Sequence, residues 1–217
     1  MTTTAFFDLD YTLLDISSGF TYIKESLLQR RAPVWVVGYI GLAYKFRSLD
    51  FGQAHGKLIR YVARKGRAEA APFFDDLVNN KIIPHITIAG RDKIAWHKAQ
   101  GHRVVIISAS IEEMVQPVAD HLELGDDYLC THLSVQGDEY TGELDGPLCY
   151  GPGKIEWAKQ WAAKNGLDFP KTVGYFYSDS SSDLPLMELA DHPIAVNPSK
   201  KLAEIAERRG WLIEKFY

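Results

Sequence analysis

Two carboxylates two residues apart, Asp8 and Asp10, follow the apolar run Phe6-Phe7, and Thr12 comes just after them. In an open α/β sheet the ligand crevice lies beyond the carboxyl ends of the strands, so acids at this position face a ligand. Acids this close repel unless a cation or a shared proton intervenes, and the pair therefore asks for a hard metal ion. A solvated strand end that opens a turn is the competing reading. A second apolar run, Val104 to Ile107, ends in Ser108-Ala109-Ser110 just before a helical pattern. A hydroxyl with the N–H groups of a helix start suits an anion such as phosphate, and the same serines suit a helix cap. A third run ends in Tyr177-Ser178-Asp179, with Asp183 four residues beyond Asp179. Gly151-Pro152-Gly153-Lys154 opens a helix and offers a lysine to a phosphate.

These residues need a scaffold that brings several strand ends together. Thr4–Leu9, Val104–Ser108, Thr172–Tyr177 and Pro193–Val196 are rich in Val, Ile, Phe and Tyr without strict alternation. That pattern predicts strands buried on both faces, as in a parallel sheet. Helical patterns over Ala89–Gln100, Ile111–Leu122, Lys154–Asn165 and Leu184–Ala190 alternate with them. The fold class is therefore α/β: a doubly wound, Rossmann-like parallel sheet. Residues 16–84 contain no convincing strand and read as helices over Phe20–Arg31, Val34–Phe46, Phe51–Lys65 and Arg67–Asn80. They predict a helical cap inserted after the first strand, with the core formed by residues 1–15 and 85–217. Leu133–Gly146 predicts a small β-hairpin that turns at Gly137-Asp138.

Composition removes several classes of function. With 46% hydrophobic and 24% charged residues in 217, the chain is neither disordered nor fibrous. Twenty-four Lys and Arg against 28 Asp and Glu give a net charge of −4, which argues against nucleic acid as the main partner. Cys130 and Cys149 lack metal-ligand spacing and read as ordinary thiols of a reducing compartment. No signal peptide is evident, and the apolar run Ala32–Tyr44 is shorter than the ~20 residues of a transmembrane helix. The expected location is cytoplasmic. Five histidines, His97, His102, His121, His132 and His192, show no metal-ligand spacing. Trp96, Trp157, Trp161 and Trp211 read as packing.

The ordered set resembles the haloacid dehalogenase-like superfamily. Asp8-Leu9-Asp10-Tyr11-Thr12 matches its DxDxT motif, Ser108 its strand-end hydroxyl, Lys154 its lysine, and Asp179 with Asp183 its acidic motif. The helical insertion and the hairpin look most like the phosphoserine-phosphatase-like branch. The resemblance implies a Mg²⁺-dependent phosphatase that works through an aspartyl-phosphate on a small phosphorylated metabolite. By position, Asp8 would be the nucleophile and a metal ligand. Asp10 would be the general acid–base and offer its carbonyl to the metal. Ser108, Ala109, Thr12 and Lys154 would surround the phosphate, Asp179 would bind Mg²⁺, and Asp183 would support Lys154 or the metal's water shell. Asp10 also argues against a dehalogenase, which lacks that acid. Ser178 stands where many relatives have glycine.

The substrate is less legible. Phosphoserine phosphatases hold the substrate ammonium with a glutamate seven residues after the second motif aspartate, and here that position is Ser17. Their carboxylate-binding arginine aligns with Leu58, with Arg60 nearby. Dedicated phosphoserine hydrolysis is therefore disfavoured, and histidinol phosphate or another amino-alcohol phosphate competes. Arg30-Arg31, Lys45 and Arg47 flank the run Ala32–Tyr44, which leaves open a lipid-phosphate substrate or peripheral membrane contact. Arg60, Arg64, Lys65 and Arg67 form a second basic cluster, and His55 also falls in the insertion. Phosphotransfer to an organic acceptor and a non-catalytic scaffold are the remaining alternatives. Nothing in the sequence sets the oligomeric state.

Overall fold

The computed structural model describes residues 3–36, 38–39 and 66–217. Strand β1 (Thr4–Phe7) is followed by helices α1 (Ser18–Leu28), α2 (Arg67–Leu77) and α3 (Ile88–Ala99). Then come β2 (Arg103–Ile111), α4 (Glu112–His121), β3 (Tyr128–Thr131), β4 (Leu133–Gln136) and β5 (Glu139–Leu144). The chain continues through α5 (Pro152–Lys164), β6 (Val173–Ser178), α6 (Leu184–Met187), β7 (His192–Val196), α7 (Lys200–Arg209) and β8 (Leu212–Glu214).

Six strands form one sheet in the order β3-β2-β1-β6-β7-β8, and every neighbouring pair is parallel. The chain winds outward from β1 in one direction and returns to wind in the other, so the α/β doubly wound expectation holds. The strands are buried on both faces: Ala5, Phe7, Val104 and Ile106 enter one core, while Phe6, Val105, Ile107 and Phe176 enter the other. This is why their sequences lack alternation. Helix α4 buries Met114, Val115, Val118 and Ala119 along one stripe, and its first-turn Glu112 and Glu113 suit the helix dipole. The hairpin β4–β5 is antiparallel and turns through Gly137 at φ +65°.

Strands β3 and β8 and helix α7 extend the fold beyond what the sequence predicts. The helix expected over Arg67–Asn80 ends at Leu77 and gives way to a wider turn over Val78–Ile82. The one expected over Leu184–Ala190 is a single turn ending at Met187. Helices α1 and α2 meet through Tyr22, whose ring lies 6.1 and 5.8 Å from those of Phe73 and Phe74. The base of α2 is fixed to the hairpin where the Arg67 N–H donates to the Asp138 carbonyl at 2.7 Å. A side chain at Gly66, at φ +108°, would strike Asp138 Oδ2 at 2.3 Å, so only glycine fits there. The helix expected over Phe51–Lys65 and most of that over Val34–Phe46 lie outside the described residues, as do Lys45, Arg47, His55, Leu58, Arg60, Arg64 and Lys65. No helix among the described residues is long and apolar enough to cross a membrane.

Candidate active site

The sheet reverses its winding between β1 and β6, and the open crevice of such a sheet lies there, beyond the strand ends. Asp8 directly follows β1, and its N–H donates to the Tyr177 carbonyl of β6 at 2.9 Å. The chain then enters a tight turn, Leu9–Leu13, in which Asp10 and Tyr11 depart from helical geometry and Tyr11 takes φ +55°. A non-glycine residue rarely adopts that conformation, and such strain clusters at functional sites.

Lys154 lies within the first turn of α5 with its side chain buried, and it donates at 2.7 Å both to Asp8 Oδ1 and to Asp183 Oδ2. The loop before α5 packs so closely that a Cβ on Gly153 would lie 1.9 Å from the Leu148 carbonyl oxygen. Glycine there lets the helix start reach the strand ends. Ser178, the last residue of β6, donates from its hydroxyl to Asp183 Oδ2 at 2.7 Å. The departure from glycine at this position therefore places a donor under the supporting acid, a contact the sequence reading did not foresee. Asp183 Oδ1 is buried without a hydrogen-bond partner in the protein.

The acid–lysine balance decides the electrostatics. Burial raises the Asp8 carboxyl to about 8 against the pull of Lys154, and Asp183 and Asp179 add to the rise. Burial also raises Asp179 to about 7, assisted by the Asp183 charge. For Lys154, burial disfavours the ammonium, but Asp183 and Asp8 outweigh it and hold the lysine far above its usual range. One buried cation thus faces three carboxylates, an imbalance that a divalent cation bound by hard oxygen donors would relieve. Among the described residues no cluster of three His, Cys, Asp or Glu side chains has metal-binding geometry. The sequence-derived donor set differs from such a cluster: two carboxylates, Asp8 and Asp179, and the backbone carbonyl of Asp10. It fits Mg²⁺, which takes few protein oxygens and keeps several waters.

At the end of β2, pairing with β3 shifts register between Ile107 and Ile111, so Ser108–Ser110 leave the regular ladder. Ser108 is buried and its Oγ accepts the Ser110 N–H at 3.1 Å. Ala109 is half-buried, and its carbonyl accepts the Thr131 hydroxyl at 2.8 Å. Thr12 is fully buried and its hydroxyl has no hydrogen-bond partner within the protein.

Asp10 is held by serines that the sequence reading did not assign to it. Ser17 Oγ donates to Oδ2 at 3.0 Å, while the Ser18 N–H and Oγ donate to Oδ1 at 3.0 and 2.6 Å. Ser18 Oγ also lies 2.6 Å from Ser110 Oγ. Polar residues at the start of a predicted helix were the only signal, and capping explains that signal equally well. A cleft of about 470 Å³ opens beside this loop, lined by Tyr11, Asp15, Ser17, Phe20, Lys24 and Lys81. A larger groove of about 980 Å³, walled by Trp96, Tyr175, His192 and Trp211, contains none of the predicted site residues. The chemistry therefore directs attention to the strand ends, whatever the size of the groove.

The family model for haloacid dehalogenase-like hydrolases matches residues 5–188. A histidinol-phosphatase of Neisseria meningitidis is 32% identical over 220 residues, covering 98% of this chain and 98% of that protein. The phosphoserine phosphatase SerB1 of Mycobacterium tuberculosis is 28% identical over 224 residues, covering 100% of this chain and 71% of that one. A Bordetella pertussis protein of unknown function has a crystal structure that superposes with a TM-score of 0.91 at 28% identity, each chain fully covered.

Proposed function

The chain belongs to the haloacid dehalogenase-like hydrolase family and is a phosphoric monoester hydrolase, and on that premise we propose that it cleaves a small metabolite's phosphate ester through Asp8. The buried bridge from Lys154 to Asp8 and Asp183 carries this reading. A lysine fixed against Asp8 Oδ1 at 2.7 Å leaves Oδ2 as the attacking oxygen and puts a cation where phosphoryl charge develops.

In the first step Asp8 Oδ2 forms a bond to phosphorus and the ester P–O bond breaks. Asp10 gives its proton to the departing alkoxide. In the second step Asp10 takes a proton from water, the water oxygen attacks phosphorus, and the acyl-phosphate bond breaks. Inorganic phosphate leaves and Asp8 is regenerated. General acid–base help of this kind contributes roughly 10²–10⁴-fold. Ser108 and the Ala109 N–H bind phosphate oxygens from the irregular end of β2, and Thr12, buried in the turn after Asp8, belongs to the same phosphate-binding set. Asp8, Asp179 and the Asp10 carbonyl would hold Mg²⁺, which when bound neutralises charge on the phosphoryl oxygens. Asp183, fixed by Ser178, keeps Lys154 in place. Residues 16–84 serve as a cap that excludes water from the crevice.

Among substrates, amino-alcohol phosphates such as histidinol phosphate lead. This is supported by the Neisseria relative, while Ser17 in place of the glutamate counts against dedicated phosphoserine hydrolysis. The lipid-phosphate alternative rests on Ala32–Tyr44, and the described residues add nothing to it. The test is phosphate release, with and without Mg²⁺, from histidinol phosphate, phosphoserine, sugar phosphates, nucleotides and lysophospholipid phosphates. Metal-dependent release with histidinol phosphate ahead is the expected outcome. No release from any ester by metal-loaded, folded protein would favour a non-catalytic scaffold.

A further inference from the structure

Two serines bond the carboxylate of Asp10 and a third, from a distant segment, bonds one of them, and hydroxyl arithmetic fixes the direction of these bonds. Ser18 and Ser110 are 92 residues apart in sequence, and both are buried. A hydroxyl has one proton to give. The Ser18 hydroxyl gives its proton to Asp10 Oδ1 at 2.6 Å. Ser110 must then be the donor in its 2.6 Å contact with Ser18. The result is a directed chain, Ser110 to Ser18 to Asp10, which runs from the end of β2 to the start of α1. Ser17 completes the grip by donating to Oδ2 at 3.0 Å. The same Ser17 Oγ accepts the Phe20 N–H at 3.2 Å, which seats it as the cap of α1.

We propose that Ser18 is a positioning residue that fixes the orientation in which Asp10 serves as acid, with Ser110 acting through it and Ser17 steadying the second oxygen. The proposal rests on the reading of Asp10 as the proton donor. It also gives position 17 a definite use: the donor there is spent on the enzyme's own acid, so that side chain does not read the substrate. Burying two hydroxyls is costly unless they are bonded, and a fully satisfied buried network holds one geometry.

The experiment compares kcat for phenyl phosphate and p-nitrophenyl phosphate, esters of similar shape whose leaving groups differ in their need for a proton. Ser18→Ala should lower kcat on phenyl phosphate by roughly tenfold and on the nitrophenyl ester by less than about threefold. Ser110→Ala, which leaves the direct contacts to Asp10 in place, should show a smaller loss with the same selectivity, and it keeps the test open if Ser18→Ala folds poorly. The double variant should be no worse than Ser18→Ala alone, because Ser110 acts only through Ser18. Equal losses on the two esters, or additive losses in the double variant, would overturn the proposal. Asp10→Asn reports on the underlying reading: it should slow phenyl phosphate far more than the nitrophenyl ester. Equal losses on the two esters there would overturn that reading, whereas a selective Asp10→Asn with unselective serine variants would remove the serine chain alone.

Discussion

At the residue scale, Lys154 is the group on which both the charge balance and the chemistry depend. Its ammonium has left water entirely, and two carboxylate bonds of 2.7 Å offset that desolvation. Removing one partner of such a buried pair strands the other, and Lys154→Met strands two, Asp8 and Asp183. The variant should lose about 3–5 kcal/mol of stability, with turnover abolished as well. Denaturant unfolding of the metal-free protein checks this, and an unchanged midpoint would contradict the account. The acidic and basic members of this group were legible because acids at apolar strand ends are unusual in sequence. The serines around Asp10 were not, because a serine at a helix start is ordinary, and its partner Ser110 lies on the far side of the insertion.

At the element scale, the strands that position the site were readable, and those at the sheet's margins were not. Strands β1, β2, β6 and β7 lie wholly inside, so their sequences are nearly continuous apolar runs. Strand β8 is a three-residue edge strand with Leu212 and Ile213 exposed, and β3 is a four-residue segment, both too short for a period to emerge. Helix α7 buries only Leu202 and Ala206 along a highly charged surface, which hides its apolar stripe. Helix α3 meets the sheet through a histidine whose role no spacing revealed. His97 is fully buried, its Nε2 lies 2.9 Å from the Tyr177 hydroxyl, and its Nδ1 lies 2.8 Å from His102 Nδ1. Burial, with the nearby His102 charge, lowers its pKa to about 4. A histidine kept neutral in the fold contributes stability above its unfolded pKa, near 6.5. That contribution fades as pH falls from about 6.5 towards about 4, because the unfolded chain then binds the extra proton. The loss is of order 3 kcal/mol. Melting temperatures at pH 7 and pH 4.5 should therefore converge more closely in His97→Gln than in the native chain. An identical pH dependence in both would contradict it.

At the scale of the whole molecule, two sequence-distant halves meet on one crevice. The outward winding from β1 supplies Asp8, Asp10 and Ser108, and the return supplies Lys154, Ser178, Asp179 and Asp183. A doubly wound sheet makes this convergence automatic, because the strand ends on both sides of the reversal face the same opening. The fold class was legible for the same reason: three strand ends and one helix start carried their own markers, and a parallel sheet brings them together. The substrate was not legible, because the two positions compared for it, Ser17 and Leu58, carry no charged group and sequence spacing alone does not place them against a ligand. The central claim is that phosphate is carried covalently on Asp8. The direct measurement is mass spectrometry of the protein's peptides after an acid quench, taken during turnover of a hydrolysed ester with Mg²⁺ present. The peptide containing Asp8 should gain the mass of one phosphoryl group, and the corresponding peptide of Asp8→Asn should gain none. Steady turnover with that peptide unmodified at every quench time, or with the label on another residue, would contradict it.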